Sequence, residues 1–170
     1  VTFEAKDSTG RVDSETISII VTDFIPPPTF DDADTCSVVD NNIVVKISKP
    51  REGDDFEIGE EIKIRTEVKN NGNEDVKLDV KTYLYDLDED KVVEEEKDSV
   101  KIKDGDSERV DFTIIIPDDA DTDDNFAVYV VAFENDDEFC NSNFVRIEIE
   151  KPDKKVDIKD FEISPEEARG

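Results

Sequence analysis

The chain is 170 residues long, and 48 Asp and Glu against 21 Lys and Arg give it a formal charge of −27. That balance excludes nucleic acid as a partner, because phosphate binding needs a basic stripe, and an anionic membrane surface would repel the chain. It implies solubility, self-repulsion and affinity for cations or basic partners.

The length accommodates one or two small domains. An acidic surplus also suits a saline exterior, but Lys outnumbers Arg fifteen to six, which is not how a salt-adapted surface is expected to read. High charge raises the question of disorder. The apolar residues answer it, because Val, Ile, Leu, Phe and Tyr recur with period two, the pattern of half-buried strands. No run reaches transmembrane length and no signal peptide is read at Val1, although a mature exported segment would look the same.

In chain order, residues 1–24 read as one hairpin, the C-terminal hairpin of a partial β-sandwich. Val1, Phe3 and Ala5 share a face, Asp7-Ser8-Thr9-Gly10 turns the chain, and Ile17, Ile19 and Val21 return. Residues 25–35 read as a semi-rigid Pro and Asp linker, Ile25-Pro26-Pro27-Pro28-Thr29-Phe30 followed by the acidic stretch Asp31 to Asp34.

Residues 36–152 form the body. Seven strands are predicted between Ile43 and Glu150. Ile43, Val45 and Ile47 open the series, a turn surrounds Gly53, and Ile62, Ile64, Thr66 and Val68 alternate with charges. Asn70-Asn71-Gly72-Asn73 reverses the chain. Val76, Leu78, Val80 and Leu84 follow, with Tyr83 and Tyr85 on the other face of the strand. A weaker strand covers Val92 and Val93 or runs on through Val100 and Ile102. Val110 to Ile116 comes next, then Phe126 to Phe133, apolar on both faces as a central strand should be, and finally Val145, Ile147 and Ile149. No segment carries a helical period. Short strands at this spacing predict an all-β fold, an immunoglobulin-like antiparallel β-sandwich of about seven strands with flanking partial β-domains at both termini. Residues 153–170 read as the first strand of a following β-domain.

A lone hairpin or strand is marginal in water and its open edge invites another chain. The chain is therefore expected to be a link of a longer architecture, or a subunit that lends and borrows strands. Val1, Phe3, Ile17, Ile19, Val21, Val156, Ile158 and Phe161 are the candidate strand-exchange or inter-domain contacts.

Gly59-Glu60-Glu61-Ile62-Lys63-Ile64, then Val68-Lys69-Asn70-Asn71-Gly72, then a strand ending Tyr83-Leu84-Tyr85-Asp86, resembles CARDB-type domains over about residues 43–150. These are immunoglobulin-like modules of bacterial and archaeal surface proteins related to cell adhesion. The hairpin, with Ala5-Lys6-Asp7-Ser8-Thr9-Gly10 and Ile17 to Asp23, is similar to the last strands of cadherin-like or PKD-like repeats. Phe24 to Pro28 stands where cadherins usually carry a calcium-binding run, so that site is not carried over. The resemblances imply a multi-domain surface protein and name no ligand.

Cys36 and Cys140 are the only cysteines. Cys36 precedes the first sandwich strand and Cys140 is placed in the turn before the last. Because first and last strands often lie side by side in such sandwiches, a disulfide fastening the lead to the body is expected; the alternative is two buried thiols in a reducing compartment.

Asp118-Asp119-Ala120-Asp121-Thr122-Asp123-Asp124-Asn125 is the densest carboxylate loop, and Asp86, Asp88, Glu89 and Asp90 form a second. Either is a possible calcium site, although the EF-hand's Gly and terminal Glu are missing and a solvated acidic loop has the same composition. Tyr83, Tyr85 and Tyr129 are read as packing residues before a sugar-stacking face. The absence of His removes Ser-His and Cys-His nucleophilic systems and imidazole metal sites. No enzyme and no resident cofactor are expected, and no Asn-x-Ser/Thr sequon occurs. The sequence thus predicts a non-catalytic structural or adhesive module of an extracellular, cell-surface filament or tandem-domain fibre. Its partners would be neighbouring copies or domains of the same assembly, joined by β-strand addition. The alternative is a calcium- or carbohydrate-binding module of a secreted or surface protein.

Overall fold

The computed structural model describes the backbone of residues 2–6 and 12–16 and the whole of residues 28–34, 36, 39–134 and 140–152. The described elements are all strands: β1 (Thr2–Lys6), β2 (Val12–Thr16), β3 (Ile43–Lys49), β4 (Asp54–Glu57), β5 (Glu61–Asn70), β6 (Val76–Asp86), β7 (Lys91–Ile102), β8 (Ser107–Ile115), β9 (Phe126–Glu134) and β10 (Cys140–Glu150). β1 and β2 pair antiparallel in a sheet of their own. The other strands form a sandwich of a five-stranded sheet, β4-β10-β9-β6-β7, and a three-stranded sheet, β3-β5-β8.

β5 shows how the sequence writes this fold. Burial alternates strictly along it, with Ile62, Ile64, Thr66 and Val68 inward and Lys63, Arg65, Glu67 and Lys69 outward. The inward set meets Leu78, Val80 and Leu84 of β6 and Phe126, Val128 and Val130 of β9 in one continuous core between the sheets. β9 is buried along nearly its whole length, because it is the middle strand of the larger sheet and both of its faces are covered.

The structure corrects the sequence reading at several points. Among the described residues, eight strands rather than seven lie between Ile43 and Glu150. The additional one is β4, four acidic-rich residues placed in a turn by composition, which pairs parallel to β10 from Asp54 opposite Ile147 to Glu57 opposite Glu150. The sandwich is therefore not wholly antiparallel. The last strand begins at Cys140 rather than Val145, so Cys140 lies in β10 and not in the preceding turn. Asn141, Ser142 and Asn143 are poor strand formers by composition, yet they pair in register with Ala132, Val131 and Val130 of β9. β7 is one continuous strand of twelve residues.

In the hairpin, the strand returning to β1 is Val12–Thr16, with Phe3 opposite Glu15. Ile17, Ile19 and Val21, together with Val1, Val156, Ile158 and Phe161, lie outside the described residues.

Asn70 ends β5 and closes two loops at once. Its buried side-chain amide donates to the carbonyls of Glu74 (2.7 Å) and Lys103 (3.2 Å). Its Oδ1 accepts the Gly72 N–H at 2.9 Å. A Cβ on residue 72 would come within 3.0 Å of that same oxygen. The Asn-x-Gly of the resemblance is thus a structural fastening between the β5–β6 and β7–β8 turns.

Candidate functional site

The most developed arrangement outside the core lies on the outer face of the five-stranded sheet. The outward side chains of β6 and β9 include Tyr83, Tyr85, Ala127, Tyr129, Val131 and Phe133, and an apolar sheet face of this size must be covered. Residues 28–34 cover it. Phe30 is only 7 % exposed and Ala33 9 %, and both join these residues and Cys140 in a second apolar cluster. The Phe30 ring stacks on Tyr129 at 4.1 Å between centroids and meets Tyr85 edge-on at 5.0 Å. Over residues 28–34 the stretch that composition marks as a spacer is therefore part of the packed body.

Polar contacts hold the same segment at regular intervals. The Asp32 N–H donates to the Tyr85 hydroxyl at 3.2 Å, and the Asp32 carboxylate accepts the Val92 N–H at 3.1 Å. Asp34 pairs with Lys81 and accepts the Tyr83 hydroxyl proton at 2.9 Å. The Lys81 ammonium beside it holds the Asp34 carboxyl below its ordinary range. Burial, and then the hydrogen bond to Asp90, pushes the Tyr85 phenol up to about 12. Burial followed by Asp34 raises that of Tyr83, and burial raises Tyr129 as well. All three phenols are neutral structural groups at physiological pH.

The segment ends in a covalent lock. Cys36 and Cys140 form a disulfide with sulfurs 2.07 Å apart and Cα atoms 5.5 Å apart, spanning 104 residues of sequence. Just beyond it, Val39 makes a parallel bridge to Cys140, and the Asp40 N–H donates to the Cys140 carbonyl at 2.8 Å. The expected neighbouring of first and last strands takes a different form from the one the sequence suggested. β3 itself belongs to the opposite sheet, and it is the lead before β3 that lies along β10.

The two acidic loops meet at one end of the sandwich. Asp86, 4 % exposed, accepts the N–H groups of Asp88 and Glu89 at 2.9 and 3.0 Å. Asp88 in turn accepts both the backbone and side-chain N–H of Asn125, at 2.6 and 2.9 Å. Partial burial, with Asp86 and Asp121 close by, raises the Asp124 carboxyl to about 6. Among the described residues no group of three or more His, Cys, Asp or Glu is arranged to hold a metal ion.

The sequence reading took the tyrosines as packing residues and the cysteines as a bridge, as they are found, but it gave Phe30, Asp32 and Asp34 only to a linker and Asn70 only to a turn. The one signal for Phe30 was a large apolar residue directly between a proline run and an acidic stretch.

No family model matches the chain, and no curated protein does. Among solved structures, the sporulation control protein Spo0M of Bacillus subtilis aligns with a TM-score of 0.46 and 19 % identity, over 64 % of this chain and 49 % of that one. A Bacteroides uniformis beta-glucuronidase aligns with a TM-score of 0.43 and 13 % identity over 62 % and 13 %. Red sea bream transglutaminase aligns with 0.44 and 10 % over 63 % and 16 %. The chain spans about half the length of the first and far less of the other two.

Proposed function

We propose that this chain is a non-catalytic, load-bearing module of an extracellular surface filament or tandem-domain fibre, set between neighbouring copies or domains. The observation that carries the reading is the position of the disulfide. Tension entering along residues 28–36 crosses from Cys36 to Cys140, at the start of β10, and leaves along β10 toward Pro152. The strands β3 to β9 lie inside the covalent loop and outside the line of force. A module wired in this way transmits load without unravelling, because roughly 350 Å of chain is withheld from extension by the bond. The docking of Phe30, Asp32 and Asp34 fixes the direction in which the lead arrives, so one module's orientation is passed to what precedes it.

Persistence of such a bond suits an oxidising exterior, and the resemblance of residues 43–150 to CARDB-type modules points the same way. Joining of neighbours by β-strand addition is part of the proposal. The β1–β2 hairpin is a two-stranded sheet of the kind that gains stability from further strands. The long outer strand β7 carries Glu94, Glu95, Glu96, Lys97 and Asp98, charges that discourage indiscriminate pairing there. The carbohydrate alternative is disfavoured by the burial of Tyr83, Tyr85 and Tyr129, the last two against Phe30 and the first with its hydroxyl on Asp34.

Single-molecule pulling on a polyprotein containing residues 1–170 tests the reading. The oxidised module is expected to contribute only a short extension and the reduced one an additional length on the order of 350 Å. Equal extension with and without reductant would refute the load path. Two free thiols in protein taken from its native source would remove the extracellular assignment.

A further inference from the structure

The two outer faces of the sandwich differ in kind. That of the five-stranded sheet is covered by the lead segment, while that of the three-stranded sheet is open among the described residues, with Ile115 58 % and Val44 39 % exposed. The open face also has the wrong sign for this protein. Lys46 of β3, Lys63, Arg65 and Lys69 of β5 and Arg109 of β8 project from it, against Glu61, Glu67 and Asp111. Cations prevail there in a chain whose formal charge is −27.

The carboxylates on this face are largely spoken for. Asp111 pairs with Arg65 at 3.2 Å and with Arg109 at 2.6 Å. Glu67 lies opposite Lys46 on one side and Arg109 on the other. Lys63 and Lys69 make no ion pair with any described residue, and they mark the two ends of a positive row along the central strand.

The complementary surface is on the same molecule. At the sandwich end formed by residues 86–90 and 118–125, Asp88, Asp90, Asp118, Asp119, Asp121 and Asp123 are all exposed. We propose that the open face of β3-β5-β8 docks the acidic end of a second copy of this chain. The two surfaces differ, so the contact is heterologous and propagates from copy to copy, as a line or a ring, rather than forming a two-fold dimer. This deepens the filament reading and rests on it only in taking copies of the chain to adjoin.

Three strands about 4.8 Å apart and nine residues at about 3.3 Å each give a face of roughly 400 Å². That is about half of what a stable interface uses on each partner, so the contact is weak singly and effective when repeated along a tethered array. Net repulsion between copies is screened beyond about 8 Å at physiological ionic strength, while the apposed charges remain within that distance.

The test is sedimentation of the whole chain across concentration and salt. Wild type is expected to self-associate reversibly near 0.1 M salt and to dissociate at high salt. Lys63→Glu with Lys69→Glu is expected to weaken association about tenfold or more, as is Asp121→Lys with Asp123→Lys. Neither double variant should associate alone, and an equimolar mixture should regain association, because each then offers a face matched to the other's end.

A wild type that stays monomeric at low salt, or a mixture that fails to restore association, overturns the proposal. Retention of a monomeric wild type on heparin, lost in the Lys63 and Lys69 variant, would also overturn it by assigning the face to an anionic polysaccharide. None of these outcomes changes the extension measured by pulling, so the load path and the docking fail separately.

Discussion

The ring of Phe30 lies nearly parallel to that of Tyr129, with 12° between their planes, although 99 residues of sequence separate them. This contact turns a proline-led stretch into a cover for the larger sheet. Phe30→Ala removes the stacked ring and leaves Tyr85 and Tyr129 facing a void. The expected loss is about 3 kcal/mol in urea unfolding, accompanied by greater exposure of tyrosine to solvent quenchers. A loss below about 1 kcal/mol would mean that the lead adds little to the body.

Loss of the disulfide acts on the unfolded chain as much as on the folded one. Under the chain-entropy model, closing a loop of this size stabilises by about 4–5 kcal/mol. Cys36→Ser with Cys140→Ser is expected to lose stability of that order in urea unfolding. The sandwich strands should persist in far-ultraviolet circular dichroism below the transition, because neither sulfur belongs to the core between the sheets.

Asn70 supplies two donated bonds and one accepted bond from a site that is 1 % exposed. Asn70→Ala is expected to cost about 2 kcal/mol by leaving the loop carbonyls without their donor. Asn70→Asp sets a carboxylate against those carbonyls and should be worse at neutral pH than at pH 4, where protonation restores a donor. Urea unfolding of the two variants at both pH values separates lost bonds from added charge.

The acidic end gives a pH dependence of definite sign. The Asp124 carboxyl sits at about 6 in the folded protein, against 3.8 for an ordinary aspartate. Between those values the folded state holds a proton that the unfolded state has released. This group's contribution therefore disfavours folding increasingly as pH rises from about 4 to 6, and is constant above. Asp124→Asn is expected to raise the melting temperature relative to wild type at pH 7–8 and to give no such gain at pH 4. Paired calorimetric scans across that range check the difference.

Two buried hydroxyls, those of Thr66 on β5 and Thr82 on β6, have no hydrogen-bond partner among the described residues. Each is fully enclosed in the inter-sheet core. Thr66→Val and Thr82→Val keep the shape and remove the orphaned group, so each is expected to stabilise by about 1 kcal/mol. Destabilisation in thermal and urea melts would show that the hydroxyls are satisfied in solution.

Much of the body was legible along the chain. The alternation of Ile62, Ile64, Thr66 and Val68, and the two-faced apolar run from Phe126 to Phe133, mark an inward-facing strand and a central strand without reference to any partner. β4 was not legible, because four residues with two aspartates carry too little pattern to outweigh the turn signal of Gly53. The early start of β10 was hidden in the same way, since Asn141 to Asn143 become strand only through the register that β9 imposes.

The sequence by itself determined an all-β sandwich and its acidic character, because period-two burial and composition are local properties of a chain; the disulfide between its two cysteines was an expectation that the fold realised. Only the tertiary structure decided that Phe30, Asp32 and Asp34 close the outer face of one sheet while Lys63 and Lys69 stand open on the other. Those roles depend on which distant surfaces the strand order brings within a few ångströms, and spacing along the backbone carries no record of that.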